Sequence, residues 1–477
     1  MRTRFALIAG VIGVPGCLGP WNPAWNLADT DPIVDTDPVV ETDTETDTDT
    51  DTDTDTDTDT DTDTDPDTDV PIVVESGSIF DDTVWRADSI HDLEGLVFVE
   101  GSAVLTIEPG TLIRGQLGSA LIVTRDAQLY ARGTKSAPIV FTAASAAGTR
   151  VPGAWGGLVM LGNASVNVAS PQLEGIDPTD VRGRYGGSDD DWNCGTLAYA
   201  RIEFAGSKAS ADKELNGLTL AGCGAGTVVE FVQVHKGYDD GVEIFGGKPD
   251  IKNVLITAPG DDGLDWDLGW RGNAQFVIIQ MDANDGDNGI EADSSFDALP
   301  RSAPTIFNLT LIGGNNPAVA QRGALLREGT GGRLANALVQ GTSKEALDLR
   351  DVSTIAQITA GTLSFDHSLF FATGADGTTW GPTQASGSAD DDDGDFDEAA
   401  WLALGSLGNR FGVDPALAAP YDPAAPNFTP ASTSLAASGA VTPPAVEFFD
   451  EGATYLGAIR PGTTAPWTAD WTAYPEN

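Results

Sequence analysis

From Val70 onward the chain consists of short apolar runs separated by Gly, Pro and Asp. Leu96-Val97-Phe98-Val99, Leu105-Thr106-Ile107, Leu121-Ile122-Val123 and Pro138-Ile139-Val140-Phe141-Thr142 have the β-branched and aromatic bias of strands bounded by tight turns. Farther along, the runs fall into phase. Gly241-Val242-Glu243-Ile244-Phe245, Gly263-Leu264-Asp265-Trp266-Asp267, Gly289-Ile290-Glu291-Ala292-Asp293, Gly323-Ala324-Leu325-Leu326-Arg327 and Ala346-Leu347-Asp348-Leu349-Arg350 align at spacings of 22, 26, 34 and 23 residues. Each is preceded by a second apolar run: Val229 to Val234, Ile251 to Ile256, Phe276 to Gln280, Ile306 to Leu311 and Leu334 to Val339. A recurring pair of strands with occasional longer spacings predicts a β-solenoid whose extra residues bulge out as loops. Side chains alternate along a strand, so Val242, Ile244, Leu264, Trp266, Ile290, Ala292, Ala324, Leu326, Leu347 and Leu349 are expected to face inward and stack coil upon coil. The interior is then a packed core, and any site lies on the outer faces or among the loops.

The predicted fold is all-β: a right-handed single-stranded parallel β-helix over residues 70–365. The phrases LTIEPGTLIRG (Leu105 to Gly115), ARGTKSAPIVFT (Ala131 to Thr142) and WGGLVMLGNA (Trp155 to Ala164) resemble those of secreted β-helix proteins of the pectin-lyase-like superfamily. The resemblance covers roughly residues 78 to 365. It implies architecture more than activity, because that superfamily holds lyases, hydrolases, adhesins and inert scaffolds. After residue 366 the period is lost. The segment 366–477, with Phe448, Tyr455, Trp467 and Trp471, is expected to form a loop-rich cap with its aromatics over the last coil, since an open solenoid end is an exposed sheet edge.

Ahead of the solenoid the chain changes character. Arg2 and Arg4 precede a short apolar run from Phe5 to Val14, the form of a secretory signal peptide over residues 1–16 and too short to span a bilayer as a helix. Val14-Pro15-Gly16-Cys17 resembles the lipobox of bacterial lipoproteins, which implies acylation of Cys17; ordinary signal cleavage is the alternative. Leu18 in place of Asp favours the outer membrane if the family's sorting rule applies. The expected location is therefore outside the cell, lipid-anchored at the outer membrane or surface of a Gram-negative bacterium. Residues 17–69 read as a disordered tether, because from Asp29 to Asp69 the chain is nearly pure Thr-Asp alternation, in which Asp at every second residue repels its neighbours and no apolar core can be buried. A flexible coil of that stretch spans roughly 35 Å, and self-repulsion extends it.

The formal charge is -47. Of the 72 acidic residues, 19 lie in the tether, and Arg2 and Arg4 account for two of the 25 bases, which leaves 53 acids against 23 bases from Val70 onward. Such a body repels phosphate backbones and anionic lipid surfaces, so nucleic acid is excluded as a partner. Polysaccharides and surface proteins stay open. With Cys17 acylated, two thiols remain in an oxidising compartment, and Cys194 and Cys223 are expected to pair, with two separate buried thiols as the alternative.

The alignment places Glu243, Asp265, Glu291 and Asp348 in one outward column, interrupted by Leu325, and Asp267, Asp293, Arg327 and Arg350 in another. Coils of a parallel sheet stack about 4.8 Å apart, so like charges in register repel unless something neutralises them. Ca²⁺ held by Glu243, Asp265, Asp267, Glu291 and Asp293 is one solution, lateral ion pairs to the arginines a second, and a tolerated solvated acidic face a third. Asp239-Asp240, Asp261-Asp262 and Asp287-Asn288 each precede a repeat glycine. Paired aspartates serve as acid and base in glycoside hydrolysis, and the polygalacturonase branch of the fold uses such residues. Its Gly-His-Gly and Arg-x-Lys motifs do not occur here, and Asp before a Gly at positive φ is ordinary turn chemistry. A polysaccharide lyase needs a basic residue beside calcium-binding carboxylates, a role open to Arg327 or Arg350, although an arginine stays protonated in ordinary surroundings. His235 lies near the acidic turns and reads equally as a surface residue. Asp390 to Glu398 fails the EF-hand spacing and reads as a flexible acidic loop. Phe245 and Trp270 are expected as exposed aromatics suited to sugar stacking. Two functions follow: a non-catalytic surface protein binding glycan, matrix or neighbouring cells, or a calcium-dependent lyase or hydrolase working on the outer face. The missing motifs favour the first.

Overall fold

The computed structural model describes residues 70–210, 213–382 and 393–477; Cys17, the signal segment and the Thr/Asp tether lie outside the described residues. Three parallel sheets wind around one apolar interior. In sheet I the coils stack in register through Ser78, Phe98, Ile122, Val159, Thr219, Glu243, Asp265, Glu291, Leu325 and Asp348. Sheet II includes Val104–Ile107, Gln128–Arg132 and the first halves of Gly195–Glu203, Val228–His235, Asp250–Thr257, Asn273–Gln280 and Thr305–Ile312. The second halves of those long strands form sheet III, which continues to Leu369–Phe371 and ends on Arg410–Phe411. The parallel β-helix expected from the repeats is therefore present, and the ten residues expected to face inward are all buried.

Each coil holds three strands where the pattern of apolar runs predicted two. The run read as Val229 to Val234 turns a corner at a single left-handed residue, Phe231 (φ 53°), and equivalent corners fall at Tyr199, Asn253, Phe276, Asn308 and Asn336. One residue suffices for the bend, so no loop interrupts the run and sequence alone reads it as one strand. The repeat glycines also differ from expectation. Gly241, Gly263 and Gly289 do not adopt positive φ. They are glycines for space: a Cβ on Gly263 would lie 2.4 Å from Ile279 Cγ2 and 2.5 Å from the Gly289 carbonyl of the next coil.

The segment after 366 does two things. Its first part closes the solenoid end: Phe370 stacks on Phe411, and Trp401 and Leu402 of the short helix Glu398–Leu402 join the interior. The rest, from Val413 on, runs back along the outside of sheet III as a strap. It is held by Asn336 to Val441 O (2.8 Å), Asn308 to Ala453 O and Tyr455 O (3.1 and 2.7 Å), and Gln233 to Ala473 O (2.7 Å). Trp471 packs edge-on to Tyr199 and Phe231, in mid-solenoid and not over the last coil. The strap exists because sheet III's outward residues are apolar: Leu255, Ile278, Ile312 and Leu338 are buried beneath Leu456, Ala458 and Ile459.

Cys194 and Cys223 are joined by a disulfide that ties the insertion after sheet I to the next coil. Among the described residues no helix is long and apolar enough to cross a membrane.

A carboxylate ladder as candidate metal centre

The sheet I register decides what the outward column meets. Residues 162–187 form an insertion whose Leu173, Ile176 and Tyr185 lie over Phe98, Ile122 and Val159, and there the column is apolar. Beyond the insertion the column becomes Glu243, Asp265 and Glu291, paired Cα to Cα in successive coils. The preceding turn adds a second line of polar groups. Asn216 Oδ1 accepts from Asp240 N (3.3 Å), Asp240 Oδ1 from Asp262 N (2.9 Å), and Asp262 Oδ1 from Asn288 N (2.6 Å). Each side chain thus bonds the backbone of the next coil and locks the register.

These two lines converge. Carboxylate oxygens of Asp240, Glu243 and Asp265 lie within 4.8 Å of one another, as do those of Asp262, Asp265 and Glu291, and those of Asp239, Asp240 and Asp261. Asp240, Glu243 and Asp262 are buried. Burial, and secondarily their mutual repulsion, pushes all three and Asp265 well above the ordinary carboxylate range. The same causes raise Asp239 to about 8, with Glu214 the largest neighbouring charge, and Asp261 to about 6. Asn216 donates to Glu243, and Asn288 to Glu291 (3.1 Å). Asp265 Oδ1 is shielded from solvent and has no hydrogen-bond partner.

A sequence profile of the pectate-lyase-like β-helix domain matches residues 77–393, about two thirds of the chain. The chain belongs to the pectate-lyase-like β-helix family. No curated protein and no solved structure matches it.

Within this pectate-lyase-like β-helix, the candidate residues named from sequence separate into groups. Glu243, Asp265 and Glu291 meet in the ladder together with Asp239, Asp240, Asp261 and Asp262. Asp267 and Asp293 occupy the next column; burial raises Asp267 to about 6, and raises Asp293 to about 7 against the pull of Arg327. Arg327 closes the ladder at one end, bonded to Glu291 and, at 2.8 Å, to Asp293. Its guanidinium is held charged by those partners. Arg350 is not at the ladder; its Nε lies 3.5 Å from Asp348. Asp240 and Asp262 each give one carboxylate oxygen to a backbone bond, Asp239 is buried and hydrogen-bonded to Glu214, and Asp261 lies exposed at the rim.

Three other expectations are corrected. Phe245 is 8% exposed, beneath Tyr185, and Trp270 is fully buried with its Nε1 donating to Pro249 O (3.0 Å), so neither is available for sugar stacking. His235 is not a surface residue. It is buried against Thr257 and Pro475 O, and burial lowers it to about 4, which keeps it neutral. In the acidic stretch 390–398, residues 390–392 lie outside the described residues, while Asp393 and Glu398 are buried. Burial and Asp393 raise Glu398 to about 8.

Sequence reasoning missed Asn216, Arg322 and Tyr185. Asn216-Gly217 fits the residue-before-glycine repeat one coil earlier and was legible there. Arg322 occupies the same turn position after Asn288 and pairs with Asp287 (3.2 Å) and Glu345 (2.9 Å). Tyr185 comes from an aperiodic insertion and left no signal.

Proposed function

We propose that the protein is an exported lipoprotein, acylated at Cys17 and held off the membrane by its Thr/Asp spacer, whose β-helix binds calcium along the ladder and recognises a glycan or surface partner without cleaving it. The supporting observation is the orphaned Asp265 Oδ1, shielded within two triads of carboxylate oxygens each no wider than 4.8 Å. Hard oxygen donors that converge without enough protein cations fit Ca²⁺, which takes six to eight oxygens at about 2.3–2.6 Å. Glu243, Asp265 and Glu291 with Asp240 and Asp262 would hold it; the ion would supply the charge neutralisation that burial denies. A binding role is favoured over a lyase because Arg327 is ion-paired on both sides and has no route to a neutral form.

A second reading rests on Asp239 and Asp261. Their oxygens lie within 4.8 Å of each other, and burial raises Asp239 to about 8 and Asp261 to about 6, a spacing nearer to that of the acid and nucleophile of a retaining glycoside hydrolase than to an acid and a base with water between them. One experiment separates the readings: acidic and neutral polysaccharides are incubated with the protein, with and without Ca²⁺, and retained protein and new chain ends are scored together. Retention without new ends supports the binding role. New ends that vanish in Asp239→Asn establish a hydrolase and refute it. Anchoring is checked separately by metabolic labelling with a fatty acid, which Cys17→Ser is expected to abolish.

A further inference from the structure

In a body with 53 acids and 23 bases, a guanidinium normally finds a carboxylate. Arg114 pairs with Asp92 at 2.7 Å, Arg182 with Asp180 at 2.6 Å and Arg271 with Asp190 at 3.3 Å. Arg125 and Arg184 do not. Among the described residues neither makes an ion pair or a side-chain hydrogen bond. Arg125 Nε is also shielded from solvent with no acceptor. A buried, unmatched N–H is costly, and native structures retain few of them.

Both arginines face the same space. Arg125 lies in the turn after the sheet I strand Ala120–Val123, and Arg184 caps the short 3-10 turn Val181–Gly183 in the insertion. They line a cavity of about 420 Å³ with Val166, Ser170, Pro171 and Tyr185, and both also line an adjoining one of about 250 Å³. The acids of the second cavity are already engaged. Glu100 accepts from Ser78 and lies 3.6 Å from Arg182, and Asp126 accepts from Asn163 Nδ2 at 3.3 Å.

We propose that Arg125 and Arg184 form an oxyanion site that takes a single carboxylate, sulfate or phosphate group on an otherwise uncharged ligand. Guanidinium forks match the paired oxygens of all three groups, which is the chemistry they share. The volume admits a ligand of about sugar size, with Tyr185, Val166 and Pro171 as its apolar walls. The limit to one charge follows from the surroundings, because the acidic body repels a polyanion while two unpaired arginines attract one anionic group locally. This site does not depend on the calcium reading: its charge is of opposite sign, and it lies under the insertion and not on the ladder.

The test titrates the full chain in EDTA, at constant ionic strength set with sodium chloride, against sodium sulfate, inorganic phosphate and sodium glucuronate in separate calorimetric runs. At least one of the three is expected to bind above the chloride background, and the winner identifies the group. Arg184→Gln, an exposed position, is expected to raise Kd tenfold or more, and Arg125→Gln at least as much. Arg150→Gln, whose guanidinium already donates to Ser145 O, is expected to change nothing. Should Arg125→Gln fail to fold by circular dichroism, Arg184→Gln decides alone. Absence of binding by all three anions, or binding that survives Arg184→Gln, overturns the proposal. Because EDTA is present throughout, loss of the calcium reading would leave this result standing.

Discussion

Asp265→Asn is expected to stabilise the protein in EDTA and to lose that advantage in calcium. In EDTA the Asp265 carboxylate has no hydrogen bond to lose at Oδ1 and stands within 4.8 Å of oxygens from Asp240, Glu243, Asp262 and Glu291. Two unit charges at that separation repel by about 3.5 kcal/mol at an effective dielectric constant of about 20. Relief by protonation is no cheaper: holding a carboxyl of ordinary range protonated at pH 7.5 costs about 5 kcal/mol at 1.36 kcal/mol per pH unit. Asparagine is nearly the same size and carries no charge, so the apo variant should gain about 2–3 kcal/mol. For roughly 400 ordered residues an unfolding entropy of about 2.1 cal/mol/K per residue turns this into a rise of about 3 °C in Tm. With Ca²⁺ at a hundred times its Kd the wild type gains about 2.7 kcal/mol, again about 3 °C, while the variant has lost a ligand and gains little. Differential scanning calorimetry at pH 7.5 in EDTA and in Ca²⁺ should therefore show the variant ahead in the first buffer and no longer ahead in the second. A wild-type Tm that ignores calcium refutes the metal reading; a variant less stable than wild type in EDTA refutes the repulsion argument itself.

Two further outcomes follow from the same structure. Asp239, Asp261, Asp267 and Asp293 have folded-state values raised to about 8, 6, 6 and 7, so their contribution is fully present below the unfolded value near 4 and is lost as pH rises through the folded values. His235, lowered to about 4, acts oppositely between about 4 and 6.5 but is one group against four, so Tm in EDTA should fall from pH 4.5 to pH 8.5, and a flat or rising profile contradicts the assignment. Asn308→Ala removes two bonds to the strap, at Ala453 O and Tyr455 O, and places an alanine at φ 55°, which should cost about 2–4 kcal/mol and expose the strap near residues 441–460 to proteolysis; unchanged cleavage there would show that the strap is held elsewhere.

What could be read from the sequence was what repeats. The spacings 22, 26, 34 and 23 between equivalent residues are the registers observed from Val242 to Leu347, because a parallel ladder admits no slippage without turning the core outward. The corners were not legible, since each bends the chain at one residue inside a run that reads as a single strand, an aromatic at Tyr199, Phe231 and Phe276 and an asparagine at Asn253, Asn308 and Asn336. Nor was the strap. Its partners Asn308 and Gln233 look in sequence like ordinary polar residues, and only the apolar outward faces of Leu255 and Ile278 demand a cover.

The same limit explains the site. A solenoid forces equivalent residues to touch, so the column Glu243, Asp265, Glu291 could be placed in contact from spacing alone. How deeply it is buried could not, because at its start Glu243 lies near Glu174 and Tyr185 of the insertion 162–187, which has no period. Phe245 illustrates this. It precedes Asp267 in one column and was expected to be as exposed as its neighbour, yet Tyr185 covers it, while Asp267 a coil later lies at the edge of that cover. Had the column been fully solvated, its repulsion would be screened and no counterion required. Burial converts a tolerable row of charges into one that must be protonated or neutralised. Arg327 answers that demand by ion pairs to Glu291 and Asp293 and meets Asp265 only through space, and the carboxylates left without such a pair, Asp240, Glu243, Asp262 and Asp265, are the ones that the calcium measurement addresses.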